Sequence, residues 1–281
     1  MLQRKNLGWI TLLLTGPLVW AQEISEMTYQ DRPHFYIRTT RAEYLYDRQG
    51  GGFSSIKDRE GMEWIGYQPG EGVVPESAAK DFRGLPNLVF RGDDNGAGHP
   101  GFDQCISKKT SPNKIYTESL SGKWAWQWTF DDKGVLLEIL ETDTSRAYWF
   151  LYEGIPGGSF RPPQKFWGNN VDGIRYDTPA ITADSLVRGN WDWVFFGDRK
   201  SERSLFVIHL TPDDHEDNFS YMGNTQRGIQ SPDGMVVFGF GRSGSMPTLT
   251  GENQFYMGFI DHGSKDFEAL QNQIKKIFNY F

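Results

Sequence analysis

Apolar and polar positions alternate along most of this chain. Phe35 to Asp47 (FYIRTTRAEYLYD) interleaves aromatic or β-branched residues with polar ones, and residues 50–65 continue as two short strands about the turn Asp58-Arg59-Glu60-Gly61. The same texture recurs at 114–120, 123–130, 134–142, 148–153, 191–198, 204–210, 234–242 and 253–260. Turn clusters separate these runs, among them Ser121-Gly122, Asp131-Asp132-Lys133-Gly134 and Ser231-Pro232-Asp233-Gly234. Short strands at this spacing, without alternating helices, predict an all-β fold built as an antiparallel β-sandwich. One helix is expected, near the C-terminus: in residues 266–278 the apolar Phe267, Leu270, Ile274 and Ile277 fall at three- and four-residue steps, a face that would pack on the back of a sheet.

Two segments interrupt the pattern. Residues 82–105 (FRGLPNLVFRGDDNGAGHPGFDQC) are polar and glycine-rich, and a connection this long without periodicity usually binds something or is disordered. Pro86, Pro100 and the apolar Leu85 to Phe90 argue against disorder, so this stretch is where chemistry is expected. Residues 157–185 form a second aperiodic segment, an expected excursion over a cleft that carries Trp167 and Tyr176.

At the N-terminus, Arg4 and Lys5 precede an apolar run from Leu7 to Val19, and Val19-Trp20-Ala21 has small residues at the two recognition positions. Residues 1–21 therefore read as a secretory signal peptide cut before Gln22, leaving one domain over 22–281 and a periplasmic or extracellular protein with no membrane span after cleavage. Cleavage takes away Arg4 and Lys5 and no acidic residue, moving the formal charge from −7 to −9. So acidic a surface speaks against a nucleic-acid partner. A single cysteine, Cys105, excludes an intramolecular disulfide and reads as a small buried apolar residue rather than a nucleophile.

Aromatic residues make up 15% of the chain, and their placement matters more than their number. Trp124, Trp126 and Trp128 alternate on one strand, so they share a face, either as core or as a groove wall. Trp191 and Trp193 repeat the spacing. An indole offers a flat apolar body and one N–H donor, which suits the C–H face and polar edge of a sugar ring. In 234–242, Gly239 and Gly241 share one strand face, marking either a bulge or a close approach, and Arg242 closes the run where it can hold a carboxylate or ring hydroxyl.

Of five histidines, His99 stands out. Gly98, Pro100 and Gly101 fix the backbone around it, and imidazole titrates near neutrality, as proton transfer requires. Glu153 ends a strand on the face of Trp149 and Leu151, a position suited to acid or base work or simply to solvation. His34 and His262 are expected at the surface. The turn Thr211 to Asp217, with His215, has oxygen ligands for a structural calcium ion but lacks the spacing and glycine of an EF-hand; no other cofactor is expected. No nucleophile elbow, phosphate loop, dinucleotide fingerprint, paired-cysteine site or His-Glu-x-x-His helix is present, so hydride and phosphoryl transfer have no support.

Residues 35–68, with an exposed strand, the turn Gly-Gly-x-x-Ser-Ser-Ile and then Asp-x-x-Gly-x-Glu-Trp-Ile, resemble the opening hairpins of galactose-mutarotase-like β-supersandwich domains. Such domains occur in sugar epimerases and, as a related sandwich, in polysaccharide lyases and hydrolases. The resemblance implies a carbohydrate-active enzyme with an oligosaccharide or polysaccharide partner. The mutarotases use two histidines and an acidic residue, for which His99, His209 and Glu153 are counterparts by type. The lyases pair a Tyr or His base with groups that neutralise a uronate carboxylate. Here His99 or Tyr221 would be the base, Arg83, Asn87 and Arg91 the clamp, and Trp149, Trp167, Trp191 and Arg242 the sugar contacts. With export favouring polymer degradation, a uronate-cleaving polysaccharide lyase is the leading expectation. An aldose 1-epimerase, a glycoside hydrolase and a non-catalytic sugar-binding module are the alternatives, and fold analogy does not choose among them.

Overall fold

The computed structural model describes residues 23–69, 81–177, 186–222, 234–262 and 266–281. The expected leader, residues 1–21, and the turn Ser231 to Asp233 lie outside them.

Four strands open the fold as an antiparallel meander: β1 (Glu23–Tyr29), β2 (Arg32–Arg38), β3 (Ala42–Asp47) and β4 (Gly52–Asp58). A second run of hairpins follows, β5 (Cys105–Ser111), β6 (Lys114–Ser119), β7 (Ala125–Phe130) and β8 (Val135–Glu141), and then β9 (Phe150–Gly154). The remainder comprises β10 (Lys165–Asn169), β11 (Gly173–Arg175), β12 (Val187–Gly189), β13 (Trp193–Asp198), β14 (Arg203–His209), β15 (Asp217–Met222), β16 (Met235–Phe240), β17 (Arg242–Ser243), β18 (Met246–Pro247), β19 (Gln254–Asp261) and the helix α1 (Phe267–Phe278). Among the described residues, nine of these strands form one large sheet in the order β11-β10-β13-β14-β19-β8-β7-β6-β5. A smaller sheet runs β12-β15-β16-β9, and every pairing is antiparallel.

One face of the large sheet is covered by both four-stranded sheets, and the facing rings form the core. Against the opening meander, Phe53 meets Trp128 at 4.7 Å between ring centroids, and the buried Trp126 Nε1 donates to Tyr46 Oη at 3.1 Å. Against the smaller sheet, Trp167 stacks on Phe219 at 4.4 Å and Phe196 meets Phe238 at 5.6 Å. The row Trp124, Trp126 and Trp128 is thus core rather than groove. On the opposite face of the large sheet, α1 buries Leu270 and Ile274 against Phe166, Phe195, Phe206 and Ile260, as its periodicity predicts. Its Asp266 caps the first turn by accepting from Ala269 N.

Trp191 and Trp193 do not share a face. The strand begins only at Trp193, which joins the cluster under the helix, whereas Trp191 precedes it and turns into the core. Two-residue alternation holds only inside a strand. Segment 157–185, expected as an excursion, contributes β10 and β11 to the large sheet.

Candidate active site

The glycine-rich stretch is pinned along both sides. Leu85 O accepts from Phe53 N at 2.7 Å, joining the stretch to β4. Gly84 exchanges two backbone hydrogen bonds with Glu153, Leu151 N donates to Pro86 O at 2.7 Å, and Trp149 N donates to Leu88 O at 3.2 Å. Residues 84–88 thereby line the free edge of β9 as an irregular fifth strand of the smaller sheet. Farther along, Gly98 N donates to Gly50 O at 2.9 Å and Gly101 N to the buried Asp47 carboxylate at 2.8 Å. Asp47 also accepts from Gln49 N and Gly50 N and pairs with Arg32 at 2.6 Å, so one carboxylate ties the β3–β4 turn to the histidine loop.

That turn is Gly50-Gly51-Gly52, and contact explains two of the glycines. A Cβ at Gly50 would lie 2.4 Å from His99 O, and one at Gly52 would lie 2.3 Å from Gly98 O. The histidine loop lies flush on the turn, backbone to backbone. Asn87 takes a left-handed conformation, φ +47°, which asparagine tolerates.

Trp149, Leu151 and Glu153 project from one face of β9 and are continued by Val237 and Met235 on β16 and by Met222 at the end of β15. The opposite faces of these strands, with Phe150, Tyr152, Phe238 and Phe240, are in the core. The stretch 82–102 walls the outward face with Phe82, Asn87, Val89, Phe90, His99 and Phe102, and Arg242 closes one end, enclosing a cavity of about 250 Å³.

Its polar groups converge on one oxygen. Glu153 Oε2 accepts from Asn87 Nδ2 at 2.6 Å and lies 3.3 Å from His99 Nε2. His99 Nδ1 is 2.6 Å from Pro100 O. A carbonyl only accepts, so Nδ1 carries the hydrogen of that contact, and Nε2 is the ring nitrogen that faces the carboxylate. Burial alone would raise the Glu153 carboxyl, but His99, Arg242 and Asn87 outweigh it and hold the group below its ordinary range. Trp149 donates from Nε1 to Asn87 O at 2.7 Å and stands 4.6 Å from Phe90, with the Arg242 guanidinium 5.9 Å above its ring. Gly239 has no room for a side chain: its Cβ would lie 2.4 Å from Leu151 Cδ2 and 2.9 Å from Arg242 Cβ.

Five of the sequence candidates therefore meet: His99, Glu153, Asn87, Trp149 and Arg242. The others lie elsewhere. Arg83 is buried and lines a separate pocket with Tyr67, Phe160 and Arg161. Arg91 is exposed over the Phe90 ring, outside the cavity lining. His209 stacks on Phe255 at 4.6 Å and bonds Asn253, so it belongs to the core. Tyr221, Trp167 and Trp191 are core residues too. His34 and His262, expected at the surface, are both buried. In the acidic turn His215 N donates to the Asp213 carboxylate at 2.9 Å, and among the described residues no group of three or more His, Cys, Asp or Glu side chains that could hold a metal ion occurs. Burial pushes the Cys105 thiol up to about 12, which makes it inert at neutral pH. The apolar lining from Val89, Phe90, Met222, Met235 and Val237 escaped the sequence reading, because each looks like ordinary strand or loop packing.

The chain matches no protein-family model and no curated protein. Solved structures share its fold. The protein HI1317 is 11% identical at a TM-score of 0.55, over 85% of this chain and 96% of its own. YeaD from Salmonella typhimurium, a candidate mutarotase, is 11% identical at 0.53, over 85% and 94%. The α-N-acetylgalactosaminidase NagBb from Bifidobacterium bifidum is 12% identical at 0.50, over 85% of this chain and 38% of that one. The fold is galactose-mutarotase-like, as the opening hairpins predicted. No helix among the described residues is long and apolar enough to cross a membrane.

Proposed function

We propose that this is a carbohydrate-active enzyme whose cavity holds one sugar ring and exchanges its anomers by proton transfer through His99 and Glu153. The observation that carries the reading is the 3.3 Å contact between His99 Nε2 and Glu153 Oε2 inside a cavity of about 250 Å³. Anomer exchange needs a base at the anomeric hydroxyl and an acid at the ring oxygen, both bonded to the same carbon. Glu153 would take the hydroxyl proton while the imidazolium of His99 returns one to the ring oxygen. The bond between C1 and the ring oxygen then breaks, giving the open aldehyde. Rotation about C1–C2 and closure on the other face, with the proton movements reversed, delivers the second anomer. Phe90 and Trp149 supply flat apolar surface for a sugar face.

Polymer cleavage by a lyase fits less well. Its carboxylate clamp needs Arg83, Asn87 and Arg91 together, and only Asn87 lines this cavity. Five of the six tryptophans named for an aromatic groove or sugar contact at Trp124, Trp126, Trp128, Trp149, Trp167 and Trp191 lie in the main core, and Trp149 alone lines the cavity. We also place the protein outside the cytoplasm, on the basis of residues 1–21; sequencing the mature N-terminus, expected at Gln22, checks this.

Polarimetry on freshly dissolved anomers is the direct test. The wild-type protein should speed equilibration, and His99→Gln or Glu153→Gln should each lower the rate by about 100-fold or more. No acceleration with any common aldose or uronic acid refutes the anomer-exchange reading. An ultraviolet absorbance rise with a uronate polymer would put the lyase in its place.

A further inference from the structure

We propose that the sugar bound in this cavity carries a carboxylate and that Arg242 is the residue that reads it. This rests on the reading of the cavity as a sugar site, and not on which reaction follows.

Arg242 opens β17 directly after the last residues of β16, and its side chain runs along the cavity wall beside Trp149. Nε donates to Gly244 O at 2.9 Å, and among the described residues neither terminal nitrogen has a hydrogen-bond partner. Nη1 is buried as well as unpartnered. No described carboxylate lies within ion-pair distance of the guanidinium. Glu153 attracts it, but Oε2 of that carboxylate is already engaged by His99 and Asn87. The guanidinium is half-buried, and leaving its enclosed Nη1 without a partner is costly; an anion delivered from outside would supply one. Two terminal N–H groups side by side form the planar fork that a carboxylate fits.

A second group narrows the choice. Asn87 is 5% exposed and lines the same cavity, and its Oδ1 is buried with no donor. A ligand hydroxyl donated to that oxygen would satisfy it as an anion satisfies Arg242. A hexuronic acid has both on one ring, and its carboxylate-bearing C5 and its anomeric C1 flank the ring oxygen. One ring can thus reach from Arg242 to the His99–Glu153 pair. A phosphorylated sugar is disfavoured, since a dianion would face Glu153 across a small space.

Titration calorimetry of the wild-type protein with D-glucuronate, the neutral isostere D-glucuronamide and D-glucose needs no variant and so carries no folding ambiguity. Glucuronate should bind about 10-fold or more tightly than either neutral sugar, a difference typical of one charge-assisted contact. Arg242→Gln should bring glucuronate affinity down to that of the amide, and Arg242→Lys should recover part of the difference. Equal affinity for all three sugars, binding of none of them, or tighter binding of glucose 6-phosphate than of glucuronate overturns the proposal. A preference for glucuronate without anomer exchange removes the reaction proposed above and leaves this inference standing. Anomer exchange on neutral sugars without that preference does the reverse.

Discussion

A methyl group at position 239 has no free space to occupy. Gly239 sits on the cavity side of β16, where its Cβ would press on Leu151 and on the stem of Arg242. Gly239→Ala should cost about 1–3 kcal/mol, the usual range for overpacking. Because both displaced side chains line the cavity, it should also weaken sugar affinity, which denaturant titration and calorimetry read separately. A loss of stability with unchanged affinity would mean that Gly239 serves the sheet alone. At this scale the sequence was informative about residue type and backbone setting. His99 stood out through its flanking Gly98, Pro100 and Gly101, and Glu153 through its strand end beside Trp149. What a side chain meets is decided by distant residues, which is why Arg83, Arg91, His209 and Tyr221 looked equally suitable and lie elsewhere.

The element that aims His99 is the β3–β4 turn. Gly50 and Gly52 lie against the carbonyls of His99 and Gly98, and backbone atoms cannot swing aside as a side-chain tip can. Gly52→Ala should therefore displace the histidine loop, costing about 1–3 kcal/mol in stability. It should also lower turnover about 10-fold or more, since misplacement of an acid or base by an ångström is expensive. Gly61→Ala is the control for backbone strain without contact: that position has positive φ, +81°, which Gly52 does not, and no atom lies within 4 Å of its added methyl. Equal loss of activity in both would show that a general loss of stability in the hairpin turns, not contact with the loop, is responsible. The main strands were legible because alternation marks a half-buried surface. β1 was not, since its pattern is mostly exposed, and the pairing of residues 84–88 with β9 was hidden because glycine and proline break the alternation. Hydrogen bonds made by an irregular edge leave no periodic trace in a sequence.

For the whole molecule, pH tests how the sheets are joined. Asp217, at the start of β15, accepts from Gly241 N and Trp191 N at 2.8 Å each, linking the corner between β16 and β17 to the approach of β13. Burial pushes its carboxyl up to about 8 against the pull of those two donors, and Asp213 and Asp192 add to the rise. The folded state thus binds a proton at Asp217 that the unfolded chain, titrating near 3.8, releases. The stabilising contribution of that proton is complete below the unfolded value and is lost as pH rises towards about 8. Glu153 has the opposite sign: held below its ordinary 4.5, it stabilises above that value and loses the contribution as pH falls through its lowered pKa. His34 and His209 are lowered chiefly by burial, so they favour the folded state as pH rises through the region below 6.5 and partly mask Asp217 in the total. His209 also faces Asp213 at 3.6 Å, which couples it to the same cluster. The quantity to measure is therefore the difference in urea-unfolding free energy between the wild type and Asp217→Asn across the pH range. Asparagine does not titrate, and its single acceptor oxygen for two N–H groups costs a fixed amount at every pH. The wild-type advantage should shrink steadily as pH rises from the ordinary aspartate range to about 8 and then level off. An advantage that grows over that window would mean that the two backbone donors outweigh burial and keep Asp217 ionised in the folded protein.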